Sequence, residues 1–132
     1  MGLIEWSSAL ETGDARIDEQ HRTLVQAFND LEDALARRRG REAASRTLLF
    51  LVGYATEHFQ MEEKLMDDAG FPDTARHKRF HHDLVVKLSA LLTSYTQGSA
   101  TLNPDVMGFL EGWLVEHILG EDLRLAEFLR AH

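Results

Sequence analysis

Cysteine is absent from the 132-residue sequence, and proline occurs only twice, at Pro72 and Pro104. Without thiolates, disulfides are excluded and any bound metal must be held by nitrogen and oxygen. So little proline leaves long runs rich in leucine, alanine, glutamate and arginine uninterrupted, and these runs predict an all-helical chain. No apolar run approaches the roughly 18 residues that a membrane span requires, so membrane insertion is not expected.

Acidic residues outnumber basic ones, and the formal net charge is −8 with neutral histidines. This excess disfavours nucleic acid and anionic membranes as partners, because both are negatively charged. The one basic cluster, residues 37–41, is interpreted as a solvated helix end. The first six residues lack the basic and apolar regions of a secretory signal, so we expect a cytoplasmic protein. Nothing in the sequence implies an oligomer.

Four stretches of the chain carry apolar residues at alternating spacings of three and four, which is typical of helices packed into a bundle. The predicted helices cover about residues 18–38, 41–69, 74–96 and 104–119, with a short helical continuation over 122–130. Residues 1–17 show no helical period and are interpreted as an extended N-terminal arm, and Asp18 is a candidate cap for the first helix. The prediction is an all-α, up-down-up-down four-helix bundle, with residues 1–132 forming a single domain.

Polar side chains interrupt the apolar face of every predicted helix. His58 and Glu62 are four residues apart, so both point to the same side of the second helix, at positions where leucine is expected. Burying such groups without partners costs roughly several kcal/mol, so something must satisfy them. The candidate ligands on the inner faces are His21, His58, Glu62, His77, His81 and His117, with Asp122 just beyond. His82 and His132 are expected to face solvent.

Topology predicts that these residues lie at one level of the bundle. They occupy the starts of the first and third helices and the ends of the second and fourth, and in an antiparallel bundle these all fall at the same end. Asp122 is an apparent exception, because five residues turn about 500° around a regular helix and leave it about 140° away from His117. We therefore predict an irregularity near Gly120, with helix resuming through Leu123–Leu129.

Five imidazoles and two carboxylates in one layer favour a metal centre over a buried hydrogen-bond network, which is the alternative. One zinc ion has too few positions for this set, and calcium or magnesium would require more oxygen ligands. Two first-row ions fit better, with bridging carboxylates and terminal imidazoles. If an oxide or hydroxide also bridges two octahedral ions, one position stays open for a small external ligand.

The sequence resembles the hemerythrin family, in particular its single-domain bacterial members, over nearly its whole length. The resemblance rests on motifs at both ends of the chain and on all the candidate ligands. The matching positions are Trp6, Ile17-Asp18-Glu19-Gln20-His21, His58 with Glu62, Phe71-Pro72 before His77 and His81, and Trp113-Leu114 before His117-Ile118 and Asp122. One departure is Glu121, which would compete as a ligand if it faced the metals but is expected to face solvent.

The resemblance implies that both metals are iron, cycling between Fe(II) and Fe(III). His77, His81 and His117 would hold one iron, and His21 and His58 the other. Glu62 and Asp122 would bridge them together with an oxo or hydroxo group. The open position would then fall on the iron held by His21 and His58, where dioxygen would bind. Leu114, Trp113 and Phe28 would form an apolar pocket beside it, although ordinary core packing also explains these three residues.

The function implied is reversible dioxygen binding for transport, storage or delivery to an oxygen-consuming enzyme, rather than catalysis. Two other classes of function stay open at this point. The same ligands could serve a di-iron enzyme, such as an oxidase, a peroxidase or a nitric-oxide-handling protein, or they could serve an iron or oxygen sensor.

Overall fold

Four long helices run up and down in the computed structural model, which describes residues 4–36, 41–98, 102 and 104–131. The helices are α1 (Ala15–Ala36), α2 (Arg41–Ala69), α3 (Thr74–Thr96) and a composite fourth helix. This fourth helix consists of α4 (Pro104–Glu116), a π-helical segment (His117–Asp122) and α5 (Leu123–Ala131). Helix α1 packs against α2 and α4, and α2 also packs against α3. The predicted all-α four-helix bundle is confirmed, and the described residues contain no strand.

The turn between α2 and α3 shows how the local sequence ends one helix and begins the next. Gly70 adopts a φ of 71°, a left-handed conformation that glycine enters without a steric penalty. The Phe71 N–H then donates to the Met66 carbonyl at 3.1 Å, which closes the end of α2. The Thr74 hydroxyl donates to the Phe71 carbonyl at 2.6 Å where α3 starts. Residues 37–40 of the basic cluster lie outside the described residues.

Helix α1 begins at Ala15 rather than at the predicted Asp18, and its cap is Asp14. The Asp14 carboxylate accepts hydrogen bonds from the N–H groups of Arg16 at 3.0 Å and Ile17 at 3.2 Å. The prediction that Asp18 caps this helix was therefore wrong. Two acidic residues one turn apart offer the same capping signal, and only the path of the preceding chain distinguishes them.

Asp18 instead holds the N-terminal arm against the bundle. Its buried carboxylate accepts from the Thr12 N–H at 2.8 Å, the Thr12 hydroxyl at 2.7 Å and the Gly13 N–H at 3.2 Å. Farther up the arm, the backbone of Ile4 exchanges two hydrogen bonds of 2.9 Å with the Asn29 side chain. Over the described residues 4–14 the arm forms no α-helix, but it includes a short 3₁₀ turn over Ser8–Leu10.

Two apolar clusters divide the core along the bundle. The larger one fills most of the interior, and the smaller one, formed by Ile17, Met66, Leu125 and Ala126, lies at one end. Each of the first three of these residues is about one turn from a candidate ligand on its own helix. A layer of polar side chains therefore lies between two apolar clusters. Across the part of the chain that is described, no helix is long and apolar enough to cross a membrane.

Replacing Gly13 with alanine is expected to destabilise the junction between the arm and α5. Gly13 has a φ of 97°, and an added Cβ would overlap the Arg130 guanidinium, which donates to the Thr12 carbonyl. We expect Gly13→Ala to lower the free energy of unfolding by about 1–3 kcal/mol in chemical denaturation. Gly53→Ala is the matched control, because Gly53 lies within α2 with nothing within 4 Å of the added atom. That control should be neutral or stabilising, and an equally stable Gly13→Ala variant would contradict the account.

Candidate metal centre

All seven predicted ligands are buried in a single layer of the bundle. Helix α1 supplies one, α2 and α3 supply two each, and the two ends of the π-helical segment supply the rest. Each of these residues is 0% or 1% exposed: His21, His58, Glu62, His77, His81, His117 and Asp122. The sequence-predicted residues therefore meet. Of the two histidines expected in solvent, His82 is exposed and His132 lies outside the described residues.

The π-helical segment brings Asp122 onto the same side of its helix as His117. In such a segment the backbone hydrogen bonds run from i to i+5, so residues five apart lie nearly above one another. Asp122 Oδ2 consequently lies 2.7 Å from His117 Nε2. The predicted irregularity near Gly120 is confirmed, and regular helix resumes at Leu123.

Of the two carboxylates, Asp122 has the shorter contacts with imidazole nitrogens. Its Oδ2 atom lies 2.5 Å from His21 Nε2, 2.9 Å from His58 Nε2 and 2.7 Å from His117 Nε2. Its other oxygen, Oδ1, lies 3.4 Å from His77 Nε2. Four imidazoles from four helices thus direct the same nitrogen, Nε2, toward one carboxylate.

Glu62 faces His81, the one ligand imidazole that is not among the four closest to Asp122, and three of those four. Its Oε1 atom lies 3.1 Å from His81 Nε2 and 3.6 Å from both His77 Nε2 and His117 Nε2. Its Oε2 atom lies 3.4 Å from His58 Nε2. The two oxygens of Glu62 therefore face histidines of different helices, which is the arrangement a bridging carboxylate needs.

Hydrogen bonding among the described residues does not satisfy this layer. Both oxygens of Glu62, both ring nitrogens of His77, Nε2 of His81 and Oδ1 of Asp122 lack a hydrogen-bond partner despite their close neighbours. Buried polar atoms without partners are costly, and most proteins avoid them. A buried hydrogen-bond network therefore explains the layer poorly. Buried nitrogen and oxygen atoms that converge without hydrogen-bond partners fit bound cations.

The ligand atoms fall into two overlapping groups. Within each group, all the atoms lie within 4.8 Å of one another. One group contains His21, His58, Glu62, His117 and Asp122, and the other contains His77, His81, His117 and Asp122. Two groups that share members fit two adjacent cations better than one. Asp122 belongs to both groups, as does His117, so these distances alone do not assign His117 to one cation.

The electrostatics of the metal-free layer place one negative charge on the carboxylate pair. Burial and the neighbouring Asp122 carboxylate raise the pKa of Glu62 well above its ordinary value. Burial acts in the same sense on Asp122, but the neighbouring imidazoles, His117 first, outweigh it and hold the pKa of Asp122 well below its ordinary value. Without a metal, Glu62 is thus the neutral partner and Asp122 the charged one.

Burial also keeps several of the imidazoles neutral. It lowers the pKa of His21 and of His58, and the nearby Asp122 carboxylate only partly offsets this effect. Burial and the adjacent histidines lower the pKa of His81 to about 2. Neutral imidazole is the form that binds metals, so the folded protein presents these ligands ready to coordinate.

Two residues outside the predicted set accept hydrogen bonds from the outer nitrogen, Nδ1, of ligand imidazoles. Nδ1 of His58 donates to Oε1 of Gln20 at 2.7 Å, and Nδ1 of His81 donates to Oε2 of Glu63 at 3.0 Å. Sequence reasoning missed both contacts. The only available signal was that each residue is adjacent in sequence to a ligand, His21 or Glu62, and therefore points about 100° away toward a neighbouring helix.

Aromatic rings pack directly on the imidazoles. Phe59 stacks on His81 with centroids 4.1 Å apart and planes inclined by 13°, and Phe80 and Trp113 each stack on His117 with centroids 6.1 Å apart. Trp113 was predicted to line the dioxygen pocket, whereas Phe59 and Phe80 were not predicted to lie near the ligands. Leu114 and Phe28 are buried in the larger apolar cluster.

Glu121 neither binds in the layer nor points freely into solvent. Its carboxylate accepts two hydrogen bonds from the Arg76 guanidinium, at 3.1 Å and 2.9 Å, and its side chain is 15% exposed. The expectation that Glu121 faces solvent therefore needs correction. The ion pair with α3 turns this carboxylate away from the ligand atoms and removes it as a competitor.

Residues 12–129 match the profile of a protein family described as "Hemerythrin HHE cation binding domain". The chain is 32% identical over 132 residues to Bacteriohemerythrin of Stenotrophomonas maltophilia, covering 100% of this chain and 85% of that protein. It is 34% identical over 119 residues to Bacteriohemerythrin of Methylococcus capsulatus, covering 89% of this chain and 90% of that protein. A solved structure of wild-type hemerythrin superposes with a TM-score of 0.89 at 32% identity, covering 97% of this chain and 98% of that one.

Acidification should destabilise the metal-free protein. The buried imidazoles of His21, His58 and His81 have a folded pKa below the unfolded value of 6.5, so only the unfolded chain takes up their protons. Their contribution is present above pH 6.5 and is lost as pH falls. Glu62 opposes this trend, because its pKa is raised and the folded chain therefore binds one proton that the unfolded chain does not. The net loss should be on the order of 1–3 kcal/mol per pH unit between about pH 6.5 and 5.

Urea denaturation of the metal-free protein at several pH values measures this slope. His81→Gln should reduce it, because that variant removes one of the three titrating imidazoles while leaving an uncharged side chain. A stability that is flat or rises on acidification through this range would contradict the assignment of neutral buried imidazoles.

Proposed function

This chain belongs to the hemerythrin family, and we propose that it binds dioxygen reversibly at a non-haem di-iron centre. The observation that supports this function most strongly is the layer of five imidazoles and two carboxylates between the apolar clusters. Its inward-facing atoms converge in two overlapping groups and leave buried polar atoms without hydrogen-bond partners. A set rich in imidazole suits first-row transition metals.

His77, His81 and His117 are the proposed ligands of one iron, and His21 and His58 are those of the other. Glu62 and Asp122 would bridge the two ions together with an oxo or hydroxo group. Several observations support this division. His77, His81 and His117 occur in one group of ligand atoms, while His21 and His58 occur together only in the other. Asp122 contacts imidazoles of both sets, as a bridging ligand must.

When bound, the two irons supply an open coordination position and the two electrons that dioxygen binding requires. The neutral imidazoles add no negative charge to favour high-valent iron, which disfavours cleavage of the O–O bond relative to carboxylate-rich sites. Reversible binding is the chemistry that such a ligand set favours.

Exclusion of water is the second requirement for reversibility, and apolar side chains meet it. Leu114, Trp113 and Phe28 are the proposed walls of the dioxygen pocket, with exposures of 1%, 5% and 0%. The smaller apolar cluster closes the opposite side of the layer at the end of the bundle. A dry site slows protonation of a charged ligand and its loss to solvent.

Burial of the ligands favours a carrier over a di-iron enzyme that acts on an organic substrate. A di-iron oxidase or peroxidase acting on an organic substrate needs an opening to the metals, whereas every ligand here is 0% or 1% exposed. A diatomic molecule needs far less room. We therefore propose dioxygen transport, storage or delivery to an oxygen-consuming enzyme as the role. A sensor would use the same binding step.

Metal analysis should find two irons per chain. His117→Ala should lose iron and melt at a lower temperature, because metal binding contributes to the free energy of folding. His82→Ala is the matched control, since His82 is an exposed histidine next to a ligand; it should keep the full iron content. One zinc per chain, or a His117→Ala variant with two irons and an unchanged melting temperature, would refute the ligand assignment.

Oxygen cycling distinguishes a carrier from an enzyme. The reduced, iron-loaded protein should gain an absorption band on exposure to oxygen and lose it on degassing, over repeated cycles. The measurement is the optical spectrum alongside an oxygen electrode. Sustained oxygen consumption in the presence of a reductant, with no recoverable reduced state, would instead identify an oxidase.

A further inference from the structure

We propose that Glu63 and Gln20 are positioning residues that make the two halves of the metal centre electronically unequal. This inference rests on the proposed di-iron function and specifies how the protein tunes it. Glu63 would raise the electron donation of His81 toward its metal. Gln20 would orient His58 without adding charge.

The outer nitrogens of the five ligand imidazoles differ in their surroundings. Nδ1 of His81 lies 3.0 Å from a Glu63 carboxylate oxygen, and Nδ1 of His58 lies 2.7 Å from the Gln20 amide oxygen. Nδ1 of His21, His77 and His117 has no hydrogen-bond partner among the described residues. In each half of the proposed centre, therefore, one imidazole has a hydrogen-bond partner at its outer nitrogen. The partner of His81 is a carboxylate, and the partner of His58 is a neutral amide.

A carboxylate and an amide act differently on the imidazole they hold. A carboxylate draws the Nδ1 proton toward itself, which raises the basicity of Nε2 and strengthens its bond to a cation. An amide oxygen fixes the tautomer and the ring orientation but exerts a weaker pull, because it carries no net charge. The His81 half is therefore the better donor. It should favour the ferric state more than the His58 half, where dioxygen is proposed to bind.

The surroundings of Glu63 keep this contact specific. Phe59 stacks on the His81 ring at 4.1 Å, which fixes the ring plane with Nδ1 directed at Glu63. A surface cavity of about 250 Å³ lies over this contact and is lined by both residues and by Lys78. The ammonium of Lys78 pairs with Asp67 at 3.0 Å, so it is held elsewhere. Glu63 is 32% exposed and remains available to His81.

Charge-swapping variants test the inference in opposite directions. Glu63→Gln keeps the shape of the side chain but removes its charge, and Gln20→Glu adds a charge behind the other half. Glu57→Gln is the control, because it removes an exposed carboxylate from the same helix. Circular dichroism should show that all three variants keep the helical content of the parent chain.

The first readout is the affinity of the metal-free protein for Co²⁺, measured by competition with a chelator. Glu63→Gln should weaken binding of the tighter ion about 10-fold, within the 10- to 100-fold range of such outer contacts. Gln20→Glu should strengthen binding of the other ion. Glu57→Gln should change neither.

The second readout is the reduction potential of the iron-loaded protein. A tenfold loss of ferric over ferrous affinity raises a one-electron potential by about 59 mV, so Glu63→Gln should shift it upward and Gln20→Glu downward. A merely structural role would not give shifts of opposite sign. Unchanged Co²⁺ affinity and potential in both variants would overturn the inference, while normal iron content and oxygen cycling in the parent chain would leave the proposed function standing.

Discussion

The contact of Asp122 Oδ2 with three imidazoles constrains the bundle more than any other interaction. His21, His58 and His117 all place Nε2 within 2.9 Å of this one oxygen, and they come from three different helices. A regular fourth helix would point Asp122 elsewhere, so the backbone adopts a π-helical segment over His117–Asp122. Helices α1 and α2 must in turn present their histidines at the same level.

The packing around the layer follows from its polarity. Apolar clusters lie on both sides, and aromatic rings stack on the imidazoles of His81 and His117. Burial holds the imidazoles of His21, His58 and His81 neutral and separates the two carboxylates into one neutral and one charged group. Such a layer destabilises the metal-free chain, because buried polar atoms remain without partners. Bound cations would remove that cost, so stability and metal content are coupled.

The sequence alone predicted the fold and the members of the layer because both follow from periodicity. A helix has a fixed angle per residue, so histidines on an apolar face must point inward. Two ligands five residues apart can reach one point only if the regular turn is broken between them. His117 and Asp122 carried enough information to predict the irregularity between them.

Contacts that depend on how neighbouring helices face each other were not predictable in this way. Gln20 and Glu63 look like ordinary polar surface residues until the rotation of the adjacent helix is known. Glu121 was expected in solvent, and only the position of Arg76 on α3 shows that it forms an ion pair. Asp18 was taken for a helix cap because the path of the arm, which its carboxylate holds, leaves no periodic signal.

The central claim is that this layer binds two irons, and anomalous X-ray diffraction from crystals of the iron-loaded protein tests it most directly. Data collected on both sides of the iron absorption edge should give two peaks per chain between the Glu62 and Asp122 carboxylates, with the five Nε2 atoms as ligands. A single peak, peaks outside this layer, or a signal that responds only at the zinc edge would contradict the account.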